Sequence, residues 1–236
     1  MKLILTCEHA GNEIPQEYEH LFHGQEEVLK THRGFDPGAF DLYSALKNVA
    51  DFCHFQEVSR LLIEVNRSLH HPALFSEFSG KLSSEEKQEL ITKVYLPYRN
   101  KVEVDIIDTL QKGEKIIHFS VHSFTNVLDG MQRNADIGLL YDPAHNTEKK
   151  FSADFKAEIL KEAPGLKIRF NYPYIGKADG FTTYLRKKYP QNYSGIELEV
   201  NQKFVRDNQM DSAVKKVVLQ ALIYTLAKSA WNTSSL

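Results

Sequence analysis

Two cysteines in 236 residues, Cys7 and Cys53, are too few for a disulfide framework. No uninterrupted apolar stretch approaches the roughly 18 residues that mark a membrane span, so a transmembrane reading is excluded. Basic charge is not in excess either. Lys and Arg number 29 against 31 Asp and Glu, a formal net charge of -2, which argues against a nucleic-acid partner. The opening Met1-Lys2-Leu3-Ile4-Leu5-Thr6 is too short and too soon charged for a signal peptide, and a cytoplasmic protein is expected. No internal repeat, low-complexity linker or shift in composition divides the chain, so a single domain over 1–236 is expected.

What is present is an ordinary globular composition, 42% hydrophobic and 25% charged, long enough for a full-sized core. Short apolar, β-branched runs alternate with stretches of helical period, the pattern of an α/β domain with a largely parallel central sheet. The runs predict strands at Lys2–Cys7, Leu61–Asn66, Lys115–Val121, Ile137–Tyr141, Leu166–Phe170 and Gly195–Val200, with a weaker one at His54–Val58. Helices are predicted over Pro37–Asp51, capped by Asp36, and from a Ser83/Glu86 capping box toward Gly113 with a kink at Pro97. Two more are predicted over Lys149–Ala163 and Asp211–Ala230. Two long segments, Glu8–Arg33 and Phe124–Asp136, fit no simple connection, and such loops are often functional.

In open α/β sheets ligands bind beyond the carboxyl ends of the strands. Cys7-Glu8-His9 follows the first predicted strand, Asn66-Arg67-Ser68 the second and His122-Ser123 the third. Within Gly195–Val200, Glu197 and Glu199 share one face by period two. Two histidines, an arginine and a carboxylate thus converge on one sheet edge. Metal-assisted amide hydrolysis requires such a set: imidazoles to hold an ion, a carboxylate to move a proton, and a cation for the substrate or the developing oxyanion. The helical zinc pattern His-Glu-x-x-His is absent.

The blocks Cys7 to Pro15, His32-Arg33-Gly34-Phe35-Asp36-Pro37-Gly38-Ala39, Val65-Asn66-Arg67-Ser68 and Gly195-Ile196-Glu197-Leu198-Glu199-Val200-Asn201 resemble the signature blocks of the N-formylglutamate amidohydrolase family, in the family's order. With Val121-His122-Ser123-Phe124 and Asp136-Ile137-Gly138 they span most of the chain. The resemblance implies a three-layer sandwich with a mixed, mainly parallel central sheet like that of the zinc exopeptidases. It further implies one Zn2+ and a small-molecule N-acyl amino acid substrate, such as N-formylglutamate. His9 and His122 match the first and last metal ligands. Zinc exopeptidases place a glutamate three residues after the first histidine, where this chain has Asn12. Asp36 is the preferred middle ligand, with Glu8, Glu13 and Asn12 left open; Asp36 before Pro37 is equally suited to cap a helix. Glu199 matches the catalytic base, with Glu197 in support. Asn66-Arg67 resembles the pair that holds a substrate carboxylate, and Arg133 is the candidate second cation. Pro173–Thr182 reads as a substrate-side lid with Gly176 and Gly180 as hinges and Thr182 at a helix N-terminus that binds an anion.

Two other readings stand beside this one. A Cys7 thiolate partnered by His9 would also hydrolyse amides. A non-catalytic acid-binding module would keep the pocket and lose the metal because of Asn12.

Overall fold

The computed structural model describes residues 1–228. Its strands are β1 (Lys2–Cys7), β2 (Phe52–Phe55), β3 (Ile116–Phe124), β4 (Val127–Leu128), β5 (Met131–Gln132), β6 (Ile137–Leu140), β7 (Ile168–Phe170), β8 (Tyr193–Asn201), β9 (Val205–Arg206) and β10 (Gln209–Met210). The helices are α1 (Glu26–Leu29), α2 (Ala39–Leu46), α3 (Ser84–Leu90), α4 (Leu96–Gln111), α5 (Asn146–Glu162), α6 (Phe181–Lys188) and α7 (Ser212–Ala227). Six strands form one sheet in the order β2-β1-β3-β8-β6-β7. Its pairs are parallel except β6 with β8, so the sheet is mixed and mainly parallel, as expected.

Each face of the sheet is covered. On one side Leu3, Leu5 and Cys7 of β1, Ile117, Phe119 and Val121 of β3, and Ile196, Leu198 and Val200 of β8 pack with α2, α5 and α7. Phe119 meets Phe151 and Phe155 with ring centroids 6.0 and 5.3 Å apart. On the other side Ile4 and Ile116 pack with α4 and α6 and with Leu61, Leu62, Ile63 and Val65. Full burial of such side chains stabilises by roughly 1.5–3 kcal/mol each, which holds three layers together.

Three expectations are corrected. Leu61–Asn66 is not a strand: Leu62 and Ile63 both donate to the Ser59 carbonyl and Arg67 to that of Glu64, closing turns. Its apolar run marks burial in the second core cluster rather than pairing in the sheet. The strand next to β1 is Phe52–Phe55. His122, Ser123 and Phe124 do not follow β3 but lie within it. Asp36 does not cap α2, whose N-cap is Gly38 at φ +76, a left-handed conformation suited to glycine, with no side-chain cap.

The Ser83/Glu86 capping box is present. The predicted kink appears as a π-helical turn, Ile91–Tyr95, just before Pro97 in the first turn of α4, where the missing proline N–H breaks the i→i−4 ladder. Asp211 caps α7 through bonds from Ala213 and Val214; positions 229 and 230 of the predicted helix lie outside the described residues.

Candidate metal centre

The geometry starts with alternation. Glu8 and His9 form the turn directly after β1, and in β3 His118, Ser120 and His122 point away from the apolar layer that Ile117, Phe119 and Val121 fill. The β3–β8 register sets Ser120 beside Glu197 and His122 beside Glu199, so these side chains share a face. The loop before α2 folds back onto the end of β1, where the Asp36 amide donates to the His9 carbonyl at 3.0 Å.

One ligand atom from each of His9, Asp36 and His122 lies within 4.8 Å of the others, and all three residues are buried. Asp36 Oδ2 is 3.2 Å from His9 Nδ1 and 2.9 Å from His122 Nδ1. Ligand bonds of about 2.0–2.1 Å in a tetrahedron imply ligand–ligand edges of roughly 3.3 Å, so the set is close to the right size for a Zn2+-like ion. The far nitrogens are occupied by acids. His9 Nε2 is 2.6 Å from Glu64 Oε1, and His122 Nε2 is 3.3 Å from Glu8 Oε2 and 2.9 Å from Ser120 Oγ. A carboxylate behind an imidazole fixes its tautomer and aims the near nitrogen's lone pair inward. Glu8 is held in turn by Ser120 Oγ at 2.5 Å and Tyr98 OH at 3.0 Å.

Burial alone would raise the carboxyl pKa values of Glu8, Asp36 and Glu64. The facing cations win: His122 lowers Glu8, His9 and His122 lower Asp36, and Arg60 and His9 lower Glu64. All three are ionised. Glu199 is the exception. Burial, with Asp36 and Glu197 nearby, pushes it up to about 8 against the pull of His122 and His9. Its Oε2 is buried without a hydrogen-bond partner. A buried unpartnered carboxyl oxygen is costly unless something in the site uses it, and a cation beside it favours its charged form.

His9, Asp36, His122 and Glu199 line a cavity of about 510 Å3. Asn66 and Arg67 line it; Asn66 Oδ1 accepts from the Phe181 amide at 2.8 Å, and the Arg67 guanidinium donates to the Asp179 carbonyl. Glu197 also lines it and accepts from Thr182 Oγ1 at 2.6 Å. Thr182 is itself buried behind Glu197 and does not line the cavity. Arg133 stands at the rim, donating to Thr125 Oγ1 and Tyr174 OH at 3.3 and 3.2 Å.

The open ligand alternatives go elsewhere. Glu8 backs His122, Asn12 Nδ2 donates to the Leu29 carbonyl at 2.9 Å, and Glu13 is exposed. Cys7 is fully buried in the apolar layer, its thiol pKa raised by that burial, so it is no nucleophile for this cavity. Gly176 is held rather than hinged: its amide bonds Asn171, its carbonyl accepts from Arg186, and a Cβ there would lie 2.1 Å from the Tyr141 nitrogen. Arg60 and Glu64 were missed at the sequence level. Arg60 reaches Glu64 Oε2 at 2.6 Å and Asp36 Oδ1 at 3.4 Å. The signal was a charged residue, Glu64, inside an otherwise apolar run, four positions after an arginine.

A buried imidazole–carboxylate cluster under an open cavity, with a free glutamate oxygen beside it, is the residue set of a hydrolytic centre. The chain belongs to the N-formylglutamate amidohydrolase family, whose model matches residues 1–206, and is by that membership an amidohydrolase. Among solved structures it is similar to a gene product of Agrobacterium tumefaciens, at 25% identity and a TM-score of 0.81, over 97% of this chain and 92% of that one. It is also similar in fold to the N-formylglutamate amidohydrolase of Ralstonia eutropha, at 18% identity and a TM-score of 0.70, over 98% and 93% of the two chains. No curated protein matches it.

Proposed function

We propose that the protein hydrolyses the amide bond of an N-acyl amino acid, such as N-formylglutamate, with Zn2+ held by His9, Asp36 and His122. The observation that carries this reading is the buried, unpartnered Glu199 Oε2 placed by register beside His122. When bound, Zn2+ supplies a Lewis acid for the scissile carbonyl and lowers the pKa of water. Glu199 takes the proton from the attacking water as the new C–O bond forms. It then delivers that proton to the amide nitrogen as the C–N bond breaks, releasing the amine and a carboxylic acid, whose remaining proton passes to the amine to leave a carboxylate and an ammonium. Glu197, fixed by Thr182, stands beside Glu199 and adds to the burial that raises the proton affinity of Glu199. The two free cysteines fit a cytoplasmic enzyme.

Glu199→Gln is expected to leave the metal bound and to lower turnover by on the order of 10²–10⁴. Glu197→Gln is expected to do less, and a reversal of the two would move the base one pleat along β8.

Arg67 and Asn66 are assigned to the substrate's α-carboxylate, a task suited to the planar arginine fork. Arg67→Ala then removes a contact worth roughly 1.5–3 kcal/mol, seen mainly as a rise in KM. Esterifying that carboxylate should penalise the wild type strongly and the variant little. Equal turnover of blocked and free substrates by the wild type would withdraw the assignment.

A further inference from the structure

The cavity ends in an apolar rim that the amide chemistry does not use. The β4–β5 hairpin turns at Asp129 and Gly130, both at positive φ, and places Leu128 in the cavity wall. The loop after Pro173 adds Tyr174 and Ile175 to the same wall. Leu128, Tyr174 and Ile175 are 36%, 48% and 58% exposed, and exposed apolar residues gathered at a pocket mark a ligand surface more than a solvent surface.

The same loop ties the two ends of the cavity together. At its far end Asp179 accepts from the Ser68 amide at 3.0 Å and, through its carbonyl, from Arg67. At its near end Tyr174 accepts from Arg133, whose guanidinium also lies 5.2 Å from the Tyr174 ring and 5.8 Å from that of Phe124. That cation is engaged by two rings and two hydroxyls. An N-acyl amino acid is linear in the order carboxylate, amine, carbonyl, acyl chain. With its carboxylate at Arg67 and its carbonyl over His9, Asp36 and His122, its acyl chain has the apolar wall of Leu128, Tyr174 and Ile175 in the same cavity to lie against. A formyl group ends at the carbonyl and leaves this rim in water. A cavity of about 510 Å3 is of the size that encloses a drug-sized ligand.

We propose that Leu128, Tyr174 and Ile175 form an acyl-chain subsite, and that the substrates favoured by this enzyme carry an aliphatic or aryl acyl group of several carbons rather than formyl alone. This rests on the reading of the cavity as an N-acyl amino acid hydrolase. The test compares N-formyl-, N-butyryl- and N-octanoylglutamate with the zinc-loaded wild type, Leu128→Ser and Ile175→Ser. Each buried methylene is expected to raise kcat/KM by up to about fourfold, giving an octanoyl-to-formyl ratio above about ten. Each variant is expected to lower that ratio several-fold, and the double variant to bring it near one. Calorimetry with the uncleavable amines N-octylglutamate and N-methylglutamate reads the subsite without turnover, and the wild type should prefer the octyl compound by a similar factor. Hydrolysis with formyl equal to or better than octanoyl, or a ratio that both variants leave unchanged, overturns the subsite and leaves the amidase reading standing. No hydrolysis of any member overturns the amidase reading instead, and equal binding of the two amines then overturns the subsite as well.

Discussion

In β3, Ile117, Phe119 and Val121 face one side of the sheet and His118, Ser120 and His122 the other, and all six are almost fully buried. The same split runs through β1, with Leu3, Leu5 and Cys7 against Thr6 and, just past the strand, Glu8, and through β8, with Ile196, Leu198 and Val200 against Glu197 and Glu199. The apolar side needs only shape. The polar side must satisfy every donor and acceptor it buries, because an unpaired one costs on the order of 1–3 kcal/mol. It does so through a chain of side-chain bonds: Thr6 to His118, His118 to Tyr193, Ser120 to Glu8 and His122, and both His9 and His122 to Asp36. Burial therefore does not separate core from site in this protein. Bonding does, and Glu199 Oε2 is among the few buried side-chain atoms of the described residues left without a partner.

The largest effect that sharpens this contrast is on the apolar side. Phe119→Ala empties a fully buried position between Phe151 and Phe155 and is expected to cost about 3–5 kcal/mol in urea unfolding, with metal content unchanged. A loss of metal at retained stability would break the division between the faces.

A smaller effect, on the polar side, depends on pH. Burial, supported by His54, Arg186 and His122 and opposed by Glu8, lowers the His118 pKa to about 4 from its ordinary 6.5. As pH falls below 6.5 the unfolded chain takes up this proton first. Stability from this group is thus complete above about 6.5 and lost progressively toward pH 4, by up to on the order of 3 kcal/mol. His118→Gln, which keeps partners for Thr6 and Tyr193, should flatten that part of the curve relative to wild type. Parallel curves for the two proteins between pH 4 and 6.5 would show that His118 does not titrate in this way.

How much of this was legible follows from the same contrast. Short apolar, β-branched runs located β1, β3, β6 and β8, and the shared face of Glu197 and Glu199 was readable from period two within such a run. The grouping of His9, His122 and Asp36 needed the resemblance to a family, since nothing local says that a loop 27 residues away folds back onto β1. Asp36 also carried a strong local signal for another role, a helix cap before Pro37, and tertiary structure overrode it. Leu61–Asn66 misled for a related reason: hydrophobicity reports burial, and here the buried run turns instead of pairing. Arg60 and Glu64 were hidden inside that misreading.

The central claim is that His9, Asp36 and His122 hold a metal ion, and metal content tests it most directly. Purified wild type, loaded with Zn2+ and dialysed, is expected to retain about one zinc per chain, while His9→Ala and His122→Ala lose it. A wild type that retains none, or both variants at full content, would contradict the account.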